Sequence, residues 1–344
     1  MKKTLAFLLA LVMVLGLCAC GASNAPAATQ APAATEAPAA VETEAPAEEP
    51  VAAVDTKILY EADDSMLNTY TVIAVNPEAP FTDADGNAVS DVAVNTSGAD
   101  ALIHWLLSQT ALDMAADFGM EDYGEHLFYV KDDAPVYDGE IAAATEETKT
   151  IRLSTTTSVK DSGLLDYLLP VFQSEYGYEV EVQSAGTGKA IAAAKYGNAD
   201  LILVHSKSQE TSFVEEGFAR VVDGFEAERV SFIYNYFLLC GPSADPAGAA
   251  ACATVKDAFA AIAEGKFTFI SRGDGSGTHT KELSLWPEDL GITAEAESFA
   301  DYTDWYISAN AGMGACLVMA EEMGAYILTD KATFLTFVAN DGVM

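Results

Sequence analysis

Basic residues are scarce in this chain. Of 344 residues, 17 are Lys or Arg against 52 Asp or Glu, for a formal net charge of -35. Nucleic-acid binding needs a basic footprint that displaces counterions, so that class of partner is excluded. A small anionic ligand is not, because it feels its immediate donors, while distant surface charge is screened beyond about 8–10 Å. Cysteine is also sparse. Beyond Cys18 and Cys20, the chain has only Cys240, Cys252 and Cys316. That odd set forms no disulfide framework and fits no zinc spacing, so core packing is expected. The histidines, His104, His126, His205 and His279, make no metal-spaced pair. His279 lies near Ser276, but no orienting acid stands at a diagnostic spacing, so the chain does not read as an enzyme such as a surface hydrolase. The loop with Asp83, Asp85, Gly86 and Asn87 places its glycine too early for an EF-hand.

No apolar run is long enough to cross a bilayer comfortably. Met1 to Gly16 instead reads as a secretory signal, with Lys2 and Lys3 ahead of the apolar stretch from Thr4 to Leu17. Leu17-Cys18-Ala19-Cys20-Gly21 resembles a bacterial lipobox, which makes 1–19 a lipoprotein signal peptide and Cys20 the lipidated residue. Residues 20–55 are rich in Ala, Pro, Thr and Glu. They have too little apolar surface to offset ordering entropy and read as a disordered tether. The expected location is the outer face of the cell membrane, held by the lipid anchor.

The globular part is organised around Ile151-Arg152-Leu153-Ser154-Thr155-Thr156-Thr157-Ser158. A strand-like run delivers hydroxyls to a helical pattern whose apolar positions Leu165, Leu168, Leu169 and Phe172 share one face. First-turn N–H groups lack intrahelical partners, so such a turn suits an anion. Pro170 inside this pattern predicts a kink or stop. From residue 150 strands alternate with helices. Examples are Glu179–Val182, then Gly186-Thr187-Gly188 and a helix, then Asp200–Val204. This order predicts an α/β fold with a mainly parallel sheet and ligands at the carboxyl ends of strands. Leu67–Pro77 and Phe232–Pro242 share one design, Asn and Tyr followed by an apolar run and a proline stop, and read as paired crossover strands. A second chemistry-bearing turn, Ser271-Arg272-Gly273-Asp274-Gly275-Ser276-Gly277-Thr278, places glycines and hydroxyls beside a guanidinium whose planar fork suits oxyanions.

These motifs resemble tungstate-binding proteins, the extracytoplasmic solute-binding components of tungstate ABC transporters. The resemblance rests on residues 154–165, Gly186-Thr187-Gly188-Lys189-Ala190, 199–205, Tyr234-Asn235-Tyr236-Phe237, Ser271 to His279 and Gly312-Met313-Gly314-Ala315. It implies a two-lobed, Venus-flytrap fold of the type II periplasmic-binding-protein class with a two-strand hinge. The family pattern continues with segments that are similar to Ile58–Asn68, Tyr70–Pro77, the Trp105 helix and Tyr123-Gly124-Glu125, which here come first. The chain therefore resembles a circular permutation, although one copy of a tandem array or a misassembled gene would give the same order. Residues 56–137 would be the family's C-terminal third, 138–149 a linker joining the old ends, 150–234 lobe one and 235–344 lobe two. The resemblance implies an oxyanion ligand, tungstate or a close alternative (molybdate or phosphate), no cofactor, a membrane permease as partner and a monomer. The oxyanion-binding set is expected to be Thr155, Thr156, Thr157, Ser158 and Thr187 from lobe one, with Ser271, Arg272, Ser276, Thr278 and Met313 from lobe two.

Overall fold

A computed structural model describes residues 54–343 apart from Ala62. The signal segment, Cys20 and nearly all of the tether lie outside the described residues. The chain opens with β1 (Thr56–Tyr60) and β2 (Leu67–Val75), followed by α1 (Thr96–Leu106), α2 (Gln109–Asp117), α3 (Met120–Tyr123) and β3 (Tyr129–Val130). Next come β4 (Thr150–Thr156), α4 (Thr157–Asp161), α5 (Leu164–Tyr176), β5 (Glu179–Ala185), α6 (Thr187–Lys195), β6 (Leu201–Val204), α7 (Lys207–Glu215) and β7 (Ala219–Arg220). The long β8 (Val230–Pro242) leads to α8 (Val255–Gly265), β9 (Phe269–Ser271), α9 (Gly277–Leu283), β10 (Tyr306–Ser308), α10 (Met313–Met323), β11 (Tyr326–Asp330) and α11 (Lys331–Ala339).

The sheet path runs β10-β9-β11-β8-β2-β6-β4-β5, with β1 and β3 also on β8 and β7 on β2. Two parallel blocks, β5-β4-β6 and β10-β9-β11, occupy its ends. Between them β2 and β8 pair antiparallel, from Leu67 opposite Tyr236 to Val72 opposite Val230. The two strands of matching sequence design are therefore neighbours at the centre. β8 serves both blocks, because its Phe237–Pro242 end pairs with β11 and β1 while its first half pairs with β2.

Side chains alternate across a strand, so a strand covered on both faces is apolar throughout. In β2, Tyr70, Val72 and Ala74 enter one core with α1, α2 and α5, while Ile73 and Val75 enter a second with α6 and α7. In β8, Phe237 and Leu239 face a core with α8 and Trp286, while Leu238 and Cys240 face another with α10 and α11. Cys316 lies in that last core as well.

Local chemistry explains most element ends. Ser108 caps α2, which restarts the helical run after α1, and Gly119 follows it in the left-handed region. Asn95 caps α1 and also donates to the carbonyls of Thr148 and Thr150, which fixes the start of β4. Residues 138–149 form neither helix nor strand and are pinned at Tyr178, whose hydroxyl donates to Ala142, and at Ala144, whose N–H donates to Tyr176.

One expectation needs correction. Pro170 does not stop α5, which runs through it from Leu164 to Tyr176. Both Pro170 and Asp166, whose carbonyl loses its helical donor, lie on the exposed face, where the lost bond costs less than it would in the core. α9 ends at Leu283, ahead of Leu285 and Trp286. Those two residues are buried just beyond it, with the Trp286 indole donating to Glu282 Oε1 at 2.9 Å.

Candidate functional site

The carboxyl ends of the parallel strands carry the chemistry. β4 ends at Thr156, whose side chain caps α4 by accepting from Val159 N. β5 ends one residue before Gly186, which opens α6. β9 ends at Ser271, and the following turn leads to Ser276, whose hydroxyl oxygen accepts from His279 N to cap α9. Beyond β10, the Ala311 N–H donates to the Arg272 carbonyl, bringing the start of α10 at Met313 beside the arginine.

The turns from the two parallel blocks meet. Arg272 Nη2 lies 3.4 Å from Thr157 Oγ1 and 2.5 Å from Asp274 Oδ2. A Cβ on Gly186 would lie 3.5 Å from Asp274 Oδ2 and 3.6 Å from Ser276 Cα, while one on Gly188 would lie 3.8 Å from the Gly275 carbonyl. The start of α6 thus lies against the backbone of the Asp274–Ser276 turn and the Asp274 carboxylate, with Gln209 also beside Gly188.

Among the described residues, three buried side-chain donors here have no protein partner: Thr187 Oγ1, Arg272 Nε and Thr278 Oγ1. Leaving a buried polar group unpaired costs about 1–3 kcal/mol, so three in one place mark donors that await an acceptor. Thr187 comes from one block and Arg272 and Thr278 from the other. First-turn N–H groups of α6 and α10, with Thr187 and Met313 as first residues, add backbone donors without intrahelical partners.

The predicted hydroxyls divide into two groups. Thr155 is fully buried and donates to the Leu203 carbonyl at 2.7 Å, so its proton belongs to the sheet. Ser271 donates to Glu282 Oε2 at 2.5 Å and is likewise committed. Thr156 and Ser158 belong to a chain of hydrogen bonds. His205 Nδ1 lies 2.8 Å from Asn68 Oδ1, an acceptor only, so Nδ1 carries the proton. Burial and the nearby Arg272 charge hold the His205 pKa down to about 3, so the ring is neutral and Nε2 accepts from Ser158 Oγ at 3.1 Å. Ser158 Oγ in turn receives the Thr156 hydroxyl at 3.1 Å. Thr157 keeps its own proton, because its oxygen accepts from Arg272. The β4 turn therefore offers the Thr157 hydroxyl and first-turn N–H groups, not a row of hydroxyls.

Sequence reasoning missed His205, Asn68 and Glu282. A usable signal existed for His205, which directly follows the parallel strand β6 where ligands gather. Ser276 and His279 do not form a nucleophile–base pair. The serine oxygen meets the His279 backbone N–H, and the His279 ring nitrogen Nδ1 accepts from Gly275 N at 3.1 Å.

Glu282 supports the floor of the site. Its carboxyl is buried and accepts from Ser271, Trp286 and Tyr306, yet burial pushes its pKa up to about 7 from 4.5. Below about pH 4.5 folded and unfolded states both hold this proton. Between about 4.5 and 7 only the folded state does, so stability falls as pH rises through that window, by roughly 3 kcal/mol. Glu282→Gln should flatten that decline in urea-unfolding free energies measured from pH 4.5 to 8. An unchanged slope would show that Glu282 does not titrate there.

A two-block α/β body joined by paired central strands, with buried donors from both blocks converging on one junction, defines an anion-binding protein of the two-lobed kind. The chain belongs to the PBP superfamily, whose domain model matches residues 142–343. It is 46% identical over 208 residues to the tungstate-binding protein TupA of Peptoclostridium acidaminophilum, which covers 60% of this chain and 67% of that relative. A putative ABC transporter anion-binding protein of Haloferax volcanii is 42% identical over 188 residues, 55% of this chain and 51% of its own length. The crystal structure of the tungstate ABC transporter from Geobacter sulfurreducens is 41% identical, covering 55% of this chain and 75% of that one, with a TM-score of 0.46.

Proposed function

We propose that the protein captures tungstate outside the cytoplasm and delivers it to the permease of an ABC transporter. The observation that carries this reading is the trio of unpartnered buried donors, Thr187 Oγ1, Arg272 Nε and Thr278 Oγ1, set where the two blocks meet. Thr157, which Arg272 Nη2 reaches at 3.4 Å, Ser276 and the start of α10 at Met313 complete the proposed set. The identity to a tungstate-binding protein supports the choice of ion. The donor set favours a fully deprotonated tetrahedral oxyanion. Phosphate brings a proton that needs an acceptor, and the carboxylate paired with Arg272, Asp274, has one oxygen engaged by Arg272 and the other by Ser276 N.

Cys20 would anchor the mature chain to the membrane through its lipid, with residues 20–55 as the tether. The order of segments is a circular permutation in this reading. The family model leaves 54–141 unmatched, and a third of the Peptoclostridium relative lies outside its alignment. Yet β1 and β2, from that unmatched stretch, pair with β8 and β6 in the same sheet. On this basis 150–234 with most of 72–137 forms lobe one, and 235–344 with 56–68 forms lobe two.

Calorimetric titration with tungstate, molybdate, sulfate and phosphate tests the assignment. Tungstate and molybdate should bind, and phosphate should bind at least about a hundredfold more weakly, the cost of roughly one unmatched charged hydrogen bond. Phosphate binding as tight as tungstate would overturn the proton argument. Absence of binding to all four would overturn the function.

A further inference from the structure

His205 links the β4 turn, the central strands and the start of α9. It follows β6 in the first block, and its ring nitrogens bond Ser158 at the β4 turn and Asn68 on the central strand β2. Asn68 in turn donates to Asn235 Oδ1 on β8 at 2.8 Å, so the relay ends on the pair of strands that joins the two blocks. On its other side the ring lies against the start of α9 in the second block. A Cβ on Gly277 would sit 2.6 Å from His205 Cε1 and 2.8 Å from Nδ1. Separations below 3 Å force something to move, and this ring is held by two hydrogen bonds and packed by Tyr70, 5.0 Å between ring centroids. Gly277 does not have a positive φ, so the backbone itself accepts an L side chain. What demands glycine there is the imidazole.

We propose that His205 is a positioning residue for anion capture, a fixed platform on which the Gly277 end of α9 seats so that the Thr157 turn and the Arg272–Thr278 turn close on one ion. The inference rests on the oxyanion-binding function proposed above. The platform is set by the Asn68–Asn235 pair, and it orients Ser158 by accepting its proton. Seating of α9 and arrangement of the β4 turn are thereby coupled through one side chain. Gly277 makes the contact possible by having no side chain, and no direct contact between His205 and the ion is required.

The test is a double-mutant cycle with Gly277→Ala, His205→Ala and the double variant, read by tungstate calorimetry and by urea unfolding without ligand. In the wild-type background Gly277→Ala should weaken tungstate binding by about tenfold or more. In the His205→Ala background, where the ring is gone, the same change should cost less than about threefold. A merely structural effect of alanine at Gly277 would cost the same in both backgrounds, and that result overturns the inference. If Gly277→Ala fails to fold alone but folds in the double variant, the contact is supported, and if it unfolds in both backgrounds, the inference is overturned. Wild-type protein that binds no tungstate overturns the function as well, whereas wild-type binding with equal costs in the two backgrounds overturns the role of His205 alone.

Discussion

Arg272→Ala weakens oxyanion binding by at least about tenfold. The guanidinium is only 3% exposed, and its Nε has no protein partner. Its Nη2 spans Thr157 and Asp274, so its charge reaches across the junction. A charge-assisted hydrogen bond contributes about 1.5–3 kcal/mol, which is a factor of roughly ten to over a hundred in affinity. Truncation also leaves the Asp274 carboxylate without its counter-charge beside an incoming anion, which adds repulsion to the lost attraction. Arg272→Lys keeps the charge and loses the planar fork, so an intermediate affinity is expected. Calorimetric titration of both variants checks the order, and an unchanged affinity for Arg272→Ala would remove this residue from the site.

The second large effect is on stability. Asp200 is fully buried ahead of β6. Its carboxylate accepts from the backbone N–H groups of Arg152 at 2.7 Å and Asn95 at 2.8 Å, and from Arg152 Nη2 at 2.6 Å. It therefore ties together the first turn of β4, the cap of α1 and the start of β6. Asp200→Ala orphans two backbone donors at once and removes the counter-charge of Arg152, which keeps its bonds to the Gly197 and Ala93 carbonyls. The expected loss is about 3–5 kcal/mol, from two unpaired backbone donors at about 1–3 kcal/mol each and the lost charged bond. Asp200→Asn keeps one good acceptor and should lose less. Urea midpoints measure both, and a loss below about 1 kcal/mol for the alanine variant would show that water takes over these donors.

Much of the site was legible because its signals are local. A strand that runs into hydroxyls, a Gly-Thr-Gly turn before a helix, and glycines around an arginine each declare backbone geometry within a few residues. Thr187, Arg272 and Thr278 stand in such turns, and among the described residues of the proposed site they are the ones with unpartnered buried donors. Pro170 shows the opposite case, a stop that is not made because the lost bond faces solvent. His205 carried little local signal. Its partners Asn68 and Ser158 lie 137 and 47 residues away in sequence, and Gly277 lies in the other block.

The amino-acid order by itself determined where strands end and helices begin, the apolar alternation of β2 and β8, and the kind of ligand the turns suit. Those properties depend on backbone preferences and side-chain chemistry that act over a few residues. Only the tertiary structure decided which hydroxyls remain free to bind. A hydroxyl has one proton, and its direction is set by the acceptor that folding places beside it. Thr155 spends its proton on Leu203, Ser271 on Glu282 and Ser158 on His205, while Thr187 and Thr278 meet no protein acceptor.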